Sequence, residues 1–341
     1  MISSEYFGVT PSGEEVRRYC LRNGALTANI LNLGGIVQDL RLDGWPYPLV
    51  LGSPDVAPYF GTARYFGAVI GRCANRVAGG RFMLEGQEFS LERNDRGMHC
   101  LHGGSKGCDT QIWQVDALTE SSIELSITLP DAHMGFPGTM QVQLRISLTA
   151  GSAIVFDFRA QTDRPTPCNF AHHGYFNLDG TPDISEHLLK IDAPSYLPTD
   201  ETGIPHNDPY PVTGTPFDFR HAKPIGHHRI DHNFCLSHTQ KPCRSVATLT
   251  SPRSGITLTV ETTEPGLQIY DAAHIPASGL PGLMQEPYGP RAGLALETQC
   301  WPDAPNRPDF PNALLQPGET YHHTVKYVFI SDTQNTGKPG F

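Results

Sequence analysis

Long apolar runs and paired cysteines are both missing from this sequence of 341 residues. No apolar run approaches the roughly 18 residues that indicate a membrane-spanning helix, and the first residues lack the basic and apolar regions of a signal peptide. The eight cysteines are scattered and include no Cys-x-x-Cys pair, so we expect free thiols rather than a disulfide framework. Together these absences predict a cytoplasmic protein that does not bind a membrane.

Basic clusters and metal-binding motifs are missing as well. The formal net charge of -10 contains no basic stripe, which argues against nucleic acid as a partner. The 15 histidines raise the question of a metal. However, neighbouring side chains in the pairs His172-His173, His227-His228 and His322-His323 point to opposite sides of an extended backbone, and no His-Glu-x-x-His motif occurs. We therefore expect no metal, and a metal-dependent hydrolase built on these pairs is only a third alternative.

Glycine and proline are abundant instead, with 34 Gly and 30 Pro spread along the chain, and this predicts many turns. Between the turns, apolar and polar residues alternate in 123–129, 140–148, 154–158, 256–260 and 325–329. Such alternation is typical of half-buried antiparallel strands, and no segment shows a long helical period. The sequence predicts an all-β fold, a large antiparallel β-sandwich with little helix, in a single domain over residues 1–341.

The stretch 294–302 carries the carboxylate with the strongest claim to chemistry. Alternation places Leu294 and Leu296 on one face of a strand and Glu297 on the other. A carboxylate held on a rigid strand beside an aromatic loop is suited to proton transfer, because partial desolvation raises its pKa towards neutral pH. The alternative interpretation is a solvated glutamate on the wet face of an amphipathic strand.

Two glycine-rich stretches carry polar side chains. The first, 67–81, contains Asn75 and Arg76, whose amide and guanidinium groups can bind the hydroxyls of a polar ligand. It is not a phosphate-binding loop, since it contains neither Gly-x-x-x-x-Gly-Lys-Ser/Thr nor Gly-x-Gly-x-x-Gly. In the second, His102 precedes Gly103 and Gly104. The structural alternative for the first stretch is a turn with ordinary surface arginines. For His102 it is a loop histidine whose hydrogen bonds are all made within the protein.

A third polar stretch, 168–180, is predicted as one strand with His173, Tyr175 and Asn177 on the same face. Burying such a face is costly unless its groups are hydrogen-bonded, so it suits a polar ligand. Further along, Asp231 can orient a histidine or accept a bond from a sugar hydroxyl. An Asx turn at a strand entrance is its structural alternative.

Taken together, these segments resemble the aldose 1-epimerase family, the galactose mutarotases. The matching stretches are 71–78, 101–104, 173–178, 231–234, 264–270 and 296–299, followed by Pro302 and Asp303. They occur in the family's order with similar gaps, and the resemblance extends from about Gly8 to Phe329. The family's fold is a large antiparallel β-sandwich, the galactose mutarotase-like supersandwich, which agrees with the strand pattern.

The resemblance implies an enzyme that interconverts the α and β anomers of free aldoses such as galactose and glucose, without a cofactor. It implies that Glu297 is the general base for the anomeric hydroxyl and that His173 is the general acid for the ring oxygen. The residues implied to bind the sugar are Asn75, Arg76, His102, Tyr175, Asp231 and Gln268. His102 is implied to assist at the ring oxygen, and the protein is expected to be a monomer or a homodimer.

Two departures from the family's pattern leave questions open. His99 stands near a position where the family usually has Asn, which puts the preferred sugar in doubt. His172 stands where Asn commonly precedes the matched His173, and alternation alone does not decide which of the two histidines is the acid.

Two rival functions also stay open. A relative specialised for sugar 6-phosphates needs cationic side chains that converge on the cleft, for which Arg72, Arg81 and Lys106 are candidates. A sugar-binding sensor without turnover needs neither Glu297 nor His173. Under any of these readings, an aromatic ring is expected to cover the sugar. The candidates for that ring are Trp301, Phe66 and Tyr175.

Overall fold

The computed structural model describes residues 4–284 and 286–331. Within these ranges the regular elements are β-strands and short 3-10 helices, without an α-helix. The strands of the first half are β1 (Ser4–Val9), β2 (Glu15–Asn23), β3 (Leu26–Leu31), β4 (Val37–Leu42), β5 (Ala68–Ile70), β6 (Arg76–Val77), β7 (Arg81–Leu84), β8 (Gln87–Ser90), β9 (Cys100–Leu101), β10 (Gln114–Leu118), β11 (Ser122–Leu129), β12 (Met140–Thr149) and β13 (Ala153–Thr162).

The second half continues the pattern of short and long strands. They are β14 (Thr166–Pro167), β15 (Ala171–His173), β16 (Tyr175–Phe176), β17 (Leu188–Ile191), β18 (Ser195–Tyr196), β19 (Tyr210–Pro211), β20 (Lys223–Pro224), β21 (Asp231–Cys235), β22 (Arg244–Thr250), β23 (Ile256–Thr262), β24 (Gly266–Tyr270), β25 (Leu294–Gln299), β26 (Leu314–Leu315) and β27 (Tyr321–Ser331). The 3-10 helices are Ala57–Phe60, Ala78–Gly80, Cys108–Thr110, His133–Gly135 and Ala304–Asn306. In the described ranges no helix has the length and apolar character needed to span a bilayer.

Antiparallel pairing joins most of the strands into three large sheets. The largest has 9 strands in the order β10-β11-β12-β13-β27-β23-β22-β17-β20. A second has 6 strands in the order β16-β25-β24-β21-β18-β19, and a third has 4 in the order β1-β2-β3-β4. The strands predicted by alternation at 123–129, 140–148, 154–158, 256–260 and 325–329 are confirmed, and all of them lie in the nine-stranded sheet.

The register of this sheet explains why its sequence alternates. Leu125 pairs with Leu144, which pairs with Phe158 on the next strand, and all three side chains are at most 1% exposed. Gln143 and Arg145, on the opposite face, are exposed. Each buried aliphatic or aromatic side chain contributes about 1.5–3 kcal/mol, so a shift of one residue would lose that contribution along a whole strand.

The core lies between the nine-stranded sheet and the two smaller sheets. A single apolar cluster includes Ile30 of the four-stranded sheet, Leu144 of the nine-stranded sheet and Leu267 of the six-stranded sheet. The predicted β-sandwich with little helix is therefore confirmed. The six-stranded sheet contributes one face to this core, and its other face forms the floor of a cleft.

One predicted strand is wrong. The stretch 168–180 does not form one continuous strand. It contains β15 and then β16, which belong to different sheets. β15 pairs with β5, and β16 pairs with β25. Gly174 separates them at a tight approach, where an added Cβ would lie 2.5 Å from the His172 ring. Because the chain changes sheets there, simple alternation does not extend from His173 to Asn177.

Candidate active site

The strand register sets a row of polar side chains side by side on the cleft face of the six-stranded sheet. Asn233 on β21 pairs with Gln268 on β24, which pairs with Glu297 on β25. Residues paired directly across strands share a face of the sheet. The alternation predicted for β25 is confirmed, because Leu294 and Leu296 enter the core on the opposite face. The solvated interpretation of Glu297 is wrong, since this residue is 2% exposed.

His173 reaches this floor from the neighbouring two-stranded sheet. Its backbone carbonyl accepts a hydrogen bond of 3.0 Å from the Gly67 N–H, and its Nε2 lies 3.4 Å from Glu297 Oε1. His172 points the other way and stacks on Phe156 with 4.2 Å between ring centroids. The two histidines, between which alternation does not decide, thus differ in position: His173 faces Glu297, and His172 packs in the core.

A second imidazole, His102, is fixed by two backbone bonds to Asn75. The His102 N–H donates to the Asn75 carbonyl at 3.0 Å, and the Asn75 N–H donates to His102 Nδ1 at 3.1 Å. Because Nδ1 accepts, the proton of the neutral ring sits on Nε2. Both residues have left-handed backbone angles, with φ of 52° and 60°, a conformation that is costly outside glycine and is often found at functional sites.

A hydrogen bond and an ion pair fix the polar side chains on the other side of the cleft. Gln268 Nε2 donates to Asp231 Oδ1 at 2.7 Å. Arg76 is paired with Asp95 through an N–O distance of 2.8 Å and is 14% exposed. Gly203 has a φ of +87°, which favours glycine, and an added Cβ there would lie 2.9 Å from the Arg76 guanidinium carbon.

Aromatic rings line the rest of the cleft. Tyr175 is 2% exposed and its ring centroid lies 4.9 Å from that of His173. The Tyr65 ring stacks over His173 at 5.7 Å and contacts His102 edge-on at 4.7 Å. The Tyr270 hydroxyl lies 2.8 Å from His274 Nδ1. The aromatic side chains of the cleft are thus Tyr175, which the sequence predicts, and Tyr65, Tyr270 and His274, which it does not.

These side chains enclose one cavity of about 260 Å3, below the roughly 300–1,000 Å3 typical of sites for drug-sized ligands. Its lining contains the eight residues that the family resemblance implies as catalytic or sugar-binding, together with six others. The predicted ones are Asn75, Arg76, His102, His173, Tyr175, Asp231, Gln268 and Glu297, and the others are Tyr65, Arg96, Leu101, Arg229, Tyr270 and His274.

Three other candidates for ligand contact do not line this cavity. Asn177 donates to the Ala292 carbonyl at 2.8 Å, away from this cavity. Trp301 is 1% exposed and packs in a separate apolar cluster with Phe310. Phe66 is fully buried behind Tyr175, with ring centroids 4.9 Å apart. Of the candidates for aromatic cover, Tyr175 alone is among the lining residues.

Burial shifts the pKa of each proton-transfer group towards its neutral form. It raises the pKa of Glu297 well above the ordinary value, and the Asp231 carboxylate adds to this effect. Burial lowers the pKa of His173 to about 3. It also lowers the pKa of His102 well below the ordinary value, with His173 contributing. Such opposed shifts in neighbouring groups are a mark of acid and base sites.

The same three residues offer a metal ion one ligand atom each, all within 4.8 Å of one another. The hydrogen bond from the Asn75 N–H to His102 Nδ1 argues against that use. It places the ring proton on Nε2, the atom that faces the cleft as a donor and not as a ligand. The donor set therefore fits a sugar oxygen better than a cation.

Arg72, a candidate for phosphate binding, has a structural role instead. It is 2% exposed, and its guanidinium donates to the carbonyls of Leu129, Pro130, Pro137 and Gly138. We expect Arg72→Met to lower the free energy of unfolding by about 2–4 kcal/mol, because it leaves these buried carbonyls without donors. Urea unfolding followed by fluorescence measures this change.

Arg81 provides the control for that prediction. Its side chain is 62% exposed and lies 3.8 Å from Glu88, so Arg81→Met is expected to change the free energy of unfolding by less than about 0.5 kcal/mol. Equal stabilities for the Arg72 and Arg81 variants would contradict the structural role of Arg72.

Fold and cleft together define a class of protein: a β-sandwich in which a buried Glu of the six-stranded sheet and a buried His of an adjoining two-stranded sheet lie side by side in a small polar cleft. A crystal structure described as an aldose epimerase homologue from C. elegans superposes with a TM-score of 0.85 at 26% identity, covering 92% of this chain and 98% of that one. The family model for aldose 1-epimerase matches residues 17–328.

Curated relatives agree over nearly the full length. Galactose mutarotase from Rattus norvegicus is 39% identical over 341 residues, which cover 96% of this chain and 98% of the relative. Aldose 1-epimerase from Escherichia coli (strain K12) is 35% identical over 342 residues, with 95% and 98% covered. The chain belongs to the aldose 1-epimerase family.

Proposed function

We propose that this chain catalyses the interconversion of the α and β anomers of free aldoses, with Glu297 as the general base and His173 as the general acid. The observation that carries the proposal is the distance of 3.4 Å between Glu297 Oε1 and His173 Nε2. The anomeric hydroxyl and the ring oxygen are bonded to the same carbon, so their catalysts must also be neighbours. Membership of the family and the names of its relatives support the same activity.

The reaction begins with one proton on the pair. Burial favours the neutral forms of both Glu297 and His173. Before the sugar binds, the proton is therefore on the Glu297 carboxyl. Its transfer to His173 produces a carboxylate and an imidazolium without exchange with solvent. Glu297 then removes the proton of the anomeric hydroxyl while His173 protonates the ring oxygen, and the bond between that oxygen and the anomeric carbon breaks.

Ring opening yields the free aldehyde, and the two proton transfers run in reverse after rotation about the bond to the next carbon. His102 Nε2–H is a neutral donor that can bind the ring oxygen throughout. Arg76, Asn75, Asp231 and Gln268 offer donors and acceptors to the other hydroxyls. Because only protons move, the residues of the cleft supply all the groups that this chemistry requires.

Free aldoses are favoured over sugar 6-phosphates by the positions of the cationic candidates. Arg72 is occupied by backbone carbonyls, and neither Arg81 nor Lys106 is among the cavity-lining residues. Arg96 and Arg229 do line the cavity, but so does the carboxylate of Asp231. A carboxylate that shares the lining with these arginines accepts bonds from sugar hydroxyls and repels a phosphate dianion.

Polarimetry of freshly dissolved sugars tests the proposal. The protein is expected to speed the approach of α-D-galactose and α-D-glucose to their equilibrium rotation, and to act less well on α-D-galactose 6-phosphate. Methyl α-D-galactopyranoside has no anomeric O–H and should keep a constant rotation while competing for the cleft. An unchanged rate with both free sugars would contradict the proposal, and in that case binding of galactose would favour a sensor without turnover.

The pH dependence follows from the two shifts. Below the pKa of His173, both Glu297 and His173 are protonated. Glu297 then cannot accept the proton of the anomeric hydroxyl. Since burial lowers that pKa to about 3, kcat/KM is expected to stay nearly constant from about pH 7 down to about pH 5, whereas an ordinary histidine would titrate near 6.5. A midpoint near 6.5 in buffer-corrected rates would contradict the lowered pKa.

We also infer that residues 1–341 form a single domain with a sugar as its small-molecule partner. The support is the apolar core cluster, which draws on strands from β2 to β27.

A further inference from the structure

A second, much smaller cavity adjoins the cleft. Its volume of about 10 Å3 is close to the minimum of roughly 10–15 Å3 that a water molecule needs. Four of its lining residues, Asn75, Arg76, Asp231 and Gln268, also line the catalytic cavity. Both cavities therefore share a wall that consists of the proposed sugar-binding side chains.

Asn233 lines the small cavity and has no role in the mechanism described above. It is 1% exposed, and neither its amide nitrogen nor its amide oxygen has a hydrogen-bond partner among the residues that the structure describes. Buried side-chain amides are nearly always bonded to protein or to ordered water. The unmatched donor and acceptor therefore indicate a small ligand that offers both.

The strand register fixes where this amide lies. Asn233 pairs with Gln268, in the same row as Glu297. Its side chain extends over Gly266, where an added Cβ would lie 2.6 Å from Asn233 Oδ1. The absence of a side chain at 266 makes room for the amide beside the sheet. The Trp301 indole lies 2.9 Å from the same Cβ position, and Asn233 and Trp301 are each 1% exposed.

We propose that one buried water molecule occupies this cavity, binds the Asn233 amide and links it to the Asp231 and Gln268 side chains. Water is the ligand that fits, because the volume admits little else and because the lining offers both donors and acceptors. Asn233 is then a positioning residue, which acts through the water on the hydrogen-bonded pair of Asp231 and Gln268. This role in sugar binding rests on the proposed function.

The kinetic test replaces Asn233 with Leu, which has a similar shape and no hydrogen-bonding atoms. The variant loses the water link, so the Asp231–Gln268 pair is less well ordered. We expect KM for galactose to rise about 3- to 10-fold, as for the loss of one hydrogen bond, while kcat changes by less than about twofold. A purely structural residue would alter thermal stability without this split between KM and kcat.

Gln299 supplies the matched control. It is fully buried, its side-chain amide also lacks partners among the described residues, and it is not among the residues that line the small cavity. Gln299→Met is expected to leave KM unchanged. If Asn233→Leu unfolds, Asn233→Ser keeps a polar lining and should retain a KM within about twofold of the wild type.

A crystal structure of the wild-type protein at about 1.5 Å resolution decides the water site itself. The expected result is a solvent peak within hydrogen-bond distance of the Asn233 amide that is missing in Asn233→Leu. An empty cavity in the wild type, or a folded Asn233→Leu variant with unchanged KM, would overturn the inference. Because the electron density does not depend on turnover, a protein that holds the water yet leaves mutarotation at the buffer rate contradicts the proposed function alone.

Discussion

Glu297→Gln is expected to lower kcat/KM for mutarotation by about 100- to 10,000-fold, the range for loss of a general base. The substitution keeps the size of the side chain, but an amide cannot accept the proton of the anomeric hydroxyl. The position tolerates a neutral group, because burial already favours the uncharged form of Glu297. We therefore expect the variant to fold and to bind galactose, with the loss confined mainly to kcat.

Glu264→Gln is the matched control for this variant. Glu264 is another buried glutamate, 1% exposed, and burial raises its pKa to about 7. It accepts a hydrogen bond of 2.6 Å from Gln240 and is not among the cavity-lining residues. Its replacement should leave kcat/KM within about twofold. Similar losses in both variants would point to a general effect of buried charge rather than to base catalysis by Glu297.

His173→Asn is expected to cause a loss of the same order, about 100- to 10,000-fold in kcat/KM. Asparagine fills much of the space of the ring and retains a donor, but it cannot deliver a proton to the ring oxygen. His102 remains in place as a neutral donor, so some activity above the buffer rate should survive. Initial rates of mutarotation over a range of galactose concentrations separate kcat from KM.

The neighbouring histidine allows the same substitution as a control. Burial lowers the pKa of His172 to about 3, as it does for His173, but its ring stacks on Phe156 in the core. His172→Asn should reduce stability and leave kcat/KM within about fivefold of the wild type at a temperature where it is folded. A larger kinetic loss there than in His173→Asn would reverse the assignment of the acid.

The parts of the fold that follow from sequence are those in which one sheet face is buried and the other is wet. In β12, Leu144 enters the core and Gln143 faces solvent, so the alternation is visible without a structure. β25 is different, because all of its residues are buried. There the pattern of Leu294 and Leu296 still identifies the core face, but it does not reveal that the loops cover Glu297.

The proposed catalytic pair was accessible from sequence because it lies in motifs that occur in the family's order. Four of the cleft residues that were missed, Tyr65, Arg96, Arg229 and His274, lie outside those motifs, whereas Leu101 and Tyr270 lie at the ends of matched stretches. Tyr65 has a backbone φ of 73°, and Tyr270 and His274 meet through a turn after β24. The positions of Tyr65 and His274 depend on loop conformation, which residue periodicity does not encode. Arg72 was misassigned for a related reason, since its carbonyl partners lie more than fifty residues away along the chain.

Exchange NMR on galactose at anomeric equilibrium tests the central claim most directly, because it observes conversion of each anomer without a net change in composition. Cross peaks between the α and β anomeric protons should grow with wild-type protein and with Glu264→Gln, and should fall close to the buffer level with Glu297→Gln. Exchange at the buffer rate with folded wild-type protein, or full exchange in the Glu297→Gln variant, would contradict the account.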